Sequence, residues 1–131
     1  MIKLLDILLE EIKDIQYNLP NFENEWEEAV RYPEFVDMGK ERWIKKAGEG
    51  YSIKYSQIKK VLGNVDLNFE SLEKPKKERF LKSFSAGKVE MPIVVKFSNK
   101  DYDLVAGNTR LAGLVNNNID PKIWIVDLSK K

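Results

Sequence analysis

At positions 102–114 the chain reads Tyr-Asp-Leu-Val-Ala-Gly-Asn-Thr-Arg-Leu-Ala-Gly-Leu, and the other elements can be arranged around this stretch. Its first residues, which include Leu104 and Val105, are typical of a strand. Gly107 permits a backbone turn that other residues resist, and a helix is predicted from Leu111 onward. A strand, a tight turn and a helix in this order direct free amides and the positive end of the helix dipole at an anion. Arg110 adds a planar guanidinium suited to phosphate oxygens, so the stretch predicts a phosphate-binding turn.

The same residues also have a purely structural interpretation. A turn glycine, a capping side chain from Asn108 or Thr109, and an arginine on a helix surface would need no ligand. The flanking segments favour the phosphate-binding interpretation. Met91-Pro-Ile-Val-Val-Lys-Phe97 predicts a strand that forms a hairpin with residues 102–106, and Lys122–Asp127 predicts a closing strand. Its alternation predicts Trp124 and Val126 on one face of that strand and Ile123 and Ile125 on the other.

The first half of the chain is predicted to be mainly helical. Apolar residues at spacings of three and four predict an amphipathic helix that ends near Leu19-Pro20; they are Ile2, Leu5, Leu8, Leu9, Ile12 and Ile15. This helix suits packing on the core or the seam of a homodimer. A second helix is predicted around Ala29, capped by Asn21 or Asn24, and a third from Phe35 to the glycines at 48 and 50. Their aromatic residues predict one hydrophobic cluster: Trp26, Tyr32, Phe35 and Trp43.

Two segments between these helices and the hairpin need separate interpretations. Residues 51–62 fit either a short strand followed by a helix or a helix alone. Ser71 is expected to open a helix that turns Leu72, Arg79, Phe80, Leu81 and Phe84 inward. The exposed side of the same helix is predicted to be basic through Lys74, Lys76, Lys77, Arg79 and Lys82.

Composition limits the chemistry that the chain can perform. With 131 residues, no cysteine and no histidine, it is expected to form one domain without disulfides, thiolate metal sites or a histidine base. No apolar run is long enough for a membrane helix and no signal peptide is evident, so we expect no membrane partner and a cytoplasmic location. Residues 1–50 carry 12 acids and 7 bases, whereas residues 51–131 carry 9 acids and 15 bases. The basic half is therefore also the half with the turn.

The hairpin, the turn and the following helix resemble the ParB N-terminal domain, in which a Gln-Pro-Ile-Val-Val-like strand leads to a Gly-Glu-Arg-Arg-type box. Ala106-Gly-Asn-Thr-Arg110 is also similar to the Gly-Gly-Cys-His-Arg turn of sulfiredoxin. The resemblance covers about residues 70–128 and is closest to short phage-encoded ParB-like proteins, which would place the chain in the host cytoplasm. It implies an α+β fold with a small mixed sheet. Residues 1–69 would be a mainly helical cap and residues 70–131 the ParB/sulfiredoxin-like module of a single domain.

This resemblance implies a nucleotide ligand, because ParB proteins bind CTP at the turn, and sulfiredoxin and the related free-serine kinases bind adenine nucleotides there. ATP or another NTP, with Mg²⁺, would then contact Gly107, Asn108, Thr109 and Arg110. Asn108 stands where sulfiredoxin has its reactive cysteine, which excludes sulfinic acid repair. The chain ends soon after its last strand, so we expect no helix-turn-helix or dimerisation domain and no centromere binding.

Further residues are candidates for catalysis or for charge near the phosphates. Glu90, just before the Pro92 strand, is a candidate catalytic carboxylate that would act with Arg110, although a solvated glutamate at a strand entry explains it equally well. Glu70, Glu73 and Asp103 are weaker candidates, and any of these carboxylates near the phosphates would equally suit Mg²⁺. Lys96 or Lys88 would add positive charge.

Three functions remain open from the sequence. The turn favours an NTPase or a kinase-like phosphotransferase. The basic helix with Lys74, Lys76, Lys77, Arg79 and Lys82 favours a ParB-like nucleic-acid-binding protein or nuclease. The lack of histidine and cysteine is compatible with a catalytically inactive phage protein that binds a host target. The sequence does not identify the acceptor of a phosphoryl transfer, the preferred nucleotide or a metal ligand.

Overall fold

The computed structural model describes residues 15–129. Five α-helices lie in this range: α1 Trp26–Ala29, α2 Pro33–Met38, α3 Lys40–Gly48, α4 Lys74–Ser85 and α5 Asn108–Asn116. The strands are β1 Gln16–Asn18, β2 Tyr51–Lys54, β3 Leu62–Gly63, β4 Lys88–Glu90, β5 Ile93–Ser98, β6 Asp101–Ala106 and β7 Lys122–Asp127. Two single 3₁₀ turns, Tyr55–Gln57 and Phe69–Ser71, complete the elements.

Five of the strands form one mixed sheet in the order β2-β7-β5-β6-β3. The β5–β6 hairpin is antiparallel, β7 runs parallel to β5 and antiparallel to β2, and β3 runs parallel to β6. A separate parallel pair joins β1 to β4. The predicted α+β class, hairpin and closing strand are therefore confirmed.

Each face of the sheet is covered by its own hydrophobic layer. Val95 and Val126 face α1–α3, where Phe35 and Trp43 are fully buried. Val94, Ile123 and Ile125 face α5 and pack with its Leu111; the cluster also includes Ile58, Tyr102 and Leu104. The two faces of β7 thus separate as predicted, as strand geometry requires. The predicted aromatic cluster is also confirmed, because Trp26 and Tyr32 pack against Phe35 and Trp43.

Helix α4 is held against α5 by a very close contact. A Cβ built on Gly113 of α5 would lie 2.3 Å from a ring carbon of Phe80, so the Phe80 ring occupies the space that a side chain would fill. Phe80 also packs with Leu114, Val89 and Ile15 in a third cluster. This contact fixes the position of the basic helix relative to the N-terminal end of α5.

Several local expectations from the sequence are wrong. The first helix was predicted to end near Leu19, but Gln16–Asn18 forms the strand β1, because it pairs with β4. Most of the predicted first helix lies outside the described residues. The third predicted helix is broken at Gly39, which has φ +86°. Residues 51–62 were predicted to form either a strand followed by a helix or a helix alone. The strand β2 is present, but a 3₁₀ turn takes the place of the helix predicted after it.

The basic helix also differs from its prediction. It begins at Lys74, because Ser71 belongs to the preceding 3₁₀ turn and Pro75 occupies the first turn of the helix. Phe80 is buried and Phe84 half-buried, as expected, but Leu81 is 47% exposed and Arg79 is exposed. A helix packed along one narrow seam cannot turn the consecutive residues 79, 80 and 81 inward together.

The proposed boundary at residues 69 and 70 does not coincide with an edge of the sheet. Strands β2 and β3, which lie before it, form the two outer strands of the sheet that contains the hairpin. Tyr32 also crosses this boundary by donating a hydrogen bond to the carbonyl of Leu104 at 3.1 Å. Among residues 15–129, no helix has the length and apolar character needed to cross a bilayer.

Candidate functional site

A cleft of about 850 Å³ opens at the C-terminal end of β6, beside the predicted phosphate turn. Its lining includes the end of β6, the start of α5 and residues of α4. The remaining walls come from the α1 region and from the loop after β3. The volume lies within the range of small-molecule sites.

The turn itself depends on Gly107. This residue has φ +93° and ψ 25°, a left-handed conformation that glycine adopts without strain. A Cβ at this position would lie 2.9 Å from the Pro92 Cα atom and 2.7 Å from Nη2 of Arg110. Both the backbone conformation and the lack of space therefore require glycine.

Free backbone donors follow directly after this glycine. The first helical hydrogen bond of α5 runs from the Leu111 amide to the Gly107 carbonyl, at 2.9 Å. The amides of Asn108, Thr109 and Arg110 consequently have no acceptor within the helix, as at any helix N-terminus. All three residues line the cleft. The arrangement suits an anion that accepts hydrogen bonds from these amides.

The side chain of Asn108 has a structural role that the sequence did not reveal. Its Oδ1 accepts a hydrogen bond from the Asp66 amide and its Nδ2 donates to the Asp66 carbonyl, both at 2.8 Å. Asn116, two turns further along α5, donates to the Leu67 carbonyl at 2.8 Å. These asparagines tie the loop after β3 to α5. The prediction that the Asn108 side chain caps the helix is wrong, because the cap residue is Gly107 without a side-chain bond.

Arg110 is bound by two carboxylates at the side of the cleft. Its Nη1 donates to Oε2 of Glu90 at 2.8 Å, and its Nη2 lies 3.9 Å from Oε1 of Glu25. The side chains of Arg110 and Glu25 are only 20% and 19% exposed. The two residues predicted to act together, Glu90 and Arg110, are thus adjacent.

Burial raises the pKa of Glu25, and the neighbouring Arg110 guanidinium only partly offsets this effect. The nearby carboxylates of Glu90 and Glu28 raise that pKa further. Because this pKa is higher in the folded than in the unfolded chain, the ionised Glu25 lowers folding stability above its folded pKa. The stability is regained as the pH falls through that value.

Two cations of the basic helix line the cleft. Lys76 and Arg79 contribute to its lining, whereas Lys74, Lys77 and Lys82 do not. Lys77 instead donates to the Glu70 carbonyl at 3.3 Å. Within the part of the chain that the structure describes, neither Lys76 nor Arg79 forms an ion pair. Both cations remain available to a ligand.

Charges of both signs line the cleft, and some neutralise each other. Arg31 and Glu28 form an ion pair at 2.7 Å. Asp66 accepts a hydrogen bond from the Asn68 amide at 2.9 Å, and it also accepts one from Ser71. Once these contacts are counted, the unpaired positive charge of the cleft lies on α4.

Several predicted candidates do not reach the cleft. Lys96 pairs with Tyr102 and its Nζ lies 4.0 Å from Asp127. The β6 residues that line the cleft are Leu104, Val105 and Ala106, and Lys96 is not part of the lining. Lys88 is exposed on β4 and lies outside the cleft lining.

The weaker carboxylate candidates lie outside the cleft lining as well. Glu70 lies 4.0 Å from Lys77, and Glu73 precedes the first residue of α4. Burial raises the pKa of Asp103 on β6, and the charge of Asp101 raises it further, whereas a hydrogen bond with Tyr32 lowers it.

Some residues of the site could not be identified from sequence. Glu25, Glu28 and Arg31 come from the α1 region, and Asn64 and Asp66 come from the loop after β3. They are distant in sequence from the turn, so no local spacing connects them with it. The only available signal was the opposite net charge of the two halves of the chain, which the fold brings together here.

The described residues contain no group of three or more histidine, cysteine or acidic side chains that could hold a metal ion. Mg²⁺ bound to nucleotide phosphates needs only one or two protein carboxylates, and Glu90 and Glu25 line the cleft in contact with Arg110.

Comparisons of the chain with protein-family models, curated proteins and solved structures gave no significant match.

Proposed function

We propose that the protein binds the phosphates of a nucleotide in the cleft between α4 and the start of α5. The observation that carries the proposal is the convergence of free backbone donors and unpaired cations. Asn108, Thr109 and Arg110, whose amides have no acceptor within the helix, line the same cleft as Lys76 and Arg79. The helix dipole adds to the positive potential at the same point.

The fold proposed with this function is the ParB/sulfiredoxin-like fold. The β5–β6 hairpin, the Gly107 turn, α5 and a β7 that returns parallel to β5 support this assignment. The resemblance in sequence places the nucleotide phosphates of those families at the same turn. The preference for ATP, CTP or another NTP depends on groups that contact the base.

An NTPase or kinase-like phosphotransferase activity extends this proposal. Glu90 lies in the cleft next to Arg110, where a carboxylate is suited to accept a proton from water or from an acceptor hydroxyl. Glu90 is bound to Arg110 in this structure, so a phosphate that takes over the guanidinium would also release the carboxylate. Release of inorganic phosphate from ATP with Mg²⁺ measures the NTPase activity, and formation of ADP together with a phosphorylated acceptor hydroxyl measures the phosphotransferase activity. The absence of both would restrict the protein to binding.

Two lysines on the same helix allow a matched test of the binding site. Lys76→Gln removes a cation that lines the cleft, and Lys82→Gln removes an equal charge from an exposed position of α4 outside it. Calorimetric titration with ATP, ADP, CTP and GTP, with and without Mg²⁺, should show about tenfold weaker binding for Lys76→Gln. Lys82→Gln should bind as the wild type does.

Nucleic-acid binding is the second candidate, because Lys76 and Arg79 also belong to the longer basic face of α4. A polynucleotide that follows this face would contact Lys74 and Lys82 as well as the cleft. In that case both lysine substitutions would weaken binding equally, and the affinity for an oligonucleotide would fall steeply with salt. Equal losses of oligonucleotide affinity in Lys76→Gln and Lys82→Gln, without saturable nucleotide binding, would contradict the nucleotide proposal and favour the nucleic-acid one.

A further inference from the structure

The guanidinium of Arg110 is already occupied in this structure by an internal anion. Glu90 accepts a hydrogen bond at 2.8 Å, and Glu25 approaches the other terminal nitrogen to 3.9 Å. Two carboxylates therefore share one guanidinium. Any phosphate that is to reach Arg110 must compete with groups that are covalently part of the chain.

This competition favours the carboxylates against weakly charged ligands. Glu90 is held beside Arg110 by β4, so its binding costs no loss of translational freedom, whereas a ligand pays that cost. Glu25 is mostly buried and comes from the α1 region, which packs on the opposite face of the sheet from α5. The fold thus delivers both carboxylates to the arginine from separate elements.

The charge of the ligand then determines the outcome. A phosphodiester carries a single negative charge, so replacing Glu90 by a phosphodiester exchanges one monoanion for another with no electrostatic gain. A terminal phosphate carries a charge of about −1.5 to −2 at neutral pH and has three acceptor oxygens. Only the terminal phosphate offers Arg110 more than the carboxylates already provide.

We propose that Glu25 and Glu90 act as a carboxylate latch on Arg110, so that the cleft accepts terminal phosphates and polyphosphates and rejects internal phosphodiesters. The inference rests on the proposed phosphate-binding function. It adds a ligand class, because the same cleft would otherwise accept a polynucleotide backbone. Glu25 becomes a specificity-determining residue, although it lies far from the turn in sequence.

The latch is tested by comparing two anions in four proteins. Inorganic tripolyphosphate represents terminal phosphate, and oligothymidylate without a terminal phosphate represents phosphodiesters. The proteins are the wild type, Glu25→Gln, Glu90→Gln and the control Glu27→Gln. Glu27 is exposed on α1 and does not line the cleft, so its substitution changes the net charge equally without touching Arg110. Circular dichroism verifies that each variant is folded.

In the wild type, tripolyphosphate should bind at least about tenfold more tightly than the oligonucleotide. Glu90→Gln should strengthen the binding of both anions, by up to about tenfold, because neither then has to displace a carboxylate from Arg110. Glu25→Gln should act in the same direction, and Glu27→Gln should keep the wild-type affinities. If Glu90→Gln does not fold, Glu25→Gln provides the comparison, because its ion pair with Arg110 is the longer one.

Two outcomes would overturn the latch, and they differ in what else they exclude. If tripolyphosphate binds but neither Glu25→Gln nor Glu90→Gln strengthens the binding of either anion more than Glu27→Gln does, the latch is wrong and the phosphate-binding function stands. If neither anion binds any folded variant, the phosphate-binding function fails together with the latch.

Discussion

Gly107→Ala is expected to abolish phosphate binding and to lower the free energy of unfolding by about 3 kcal/mol. The residue has φ +93°, and its new Cβ would lie 2.9 Å from the backbone of Pro92. Pro92 is fully buried and cannot move aside easily. The turn would have to shift, which displaces the amides that point into the cleft. Urea unfolding and a tripolyphosphate titration measure the two effects.

Gly87→Ala is the matched control for this substitution. Gly87 also has a positive φ, +74°, but nothing lies within 4 Å of its ideal Cβ position. It should therefore lose only the conformational contribution, about 1 kcal/mol, and should bind phosphate normally. Equal losses in both variants, with binding retained in Gly107→Ala, would show that the close approach to Pro92 has no role in the site.

Phe80→Ala is expected to destabilise the protein by about 3–5 kcal/mol, the largest effect on stability among the changes considered for this cleft. The ring is 3% exposed, fills the space above Gly113 and lies in edge contact with Phe69 at 5.6 Å. Its removal leaves a cavity between α4 and α5. Because α4 carries Lys76 and Arg79, phosphate affinity should fall as well.

Leu81→Ala is the control for Phe80→Ala. Leu81 is the next residue of α4 and is 47% exposed, so its truncation should change the free energy of unfolding by about 0.5 kcal/mol or less. Thermal unfolding of both variants measures the difference. Similar losses for Phe80→Ala and Leu81→Ala would contradict the packing of α4 on α5.

Local patterns were sufficient for the part of the fold that surrounds the turn. The alternation in β7 sorted Trp124 and Ile123 onto opposite faces, and the β-branched run at residues 93–95 predicted β5. Gly107 was identified as a turn because few residues adopt its conformation. These features depend on neighbouring residues, so the sequence carries them directly.

Long-range contacts explain what could not be predicted. Gln16–Asn18 forms a strand only because β4 provides a partner. Gln16 pairs with Lys88, which lies 72 residues later in the chain. The Asn108 side chain is engaged by the Asp66 backbone, and Arg110 by Glu25, which no spacing indicates. Lys96 was predicted beside the phosphates, yet the direction of β5 places it at the other end of the hairpin.

The central claim is that a phosphate binds at the N-terminal amides of α5, and nuclear magnetic resonance of the backbone amides tests it most directly. Tripolyphosphate or ATP should shift the amide resonances of Asn108, Thr109 and Arg110 in a saturable manner, with much smaller changes at Lys82 on the exposed part of α4. Saturable binding that leaves these three amides unchanged, or no binding to the folded protein, would contradict the account.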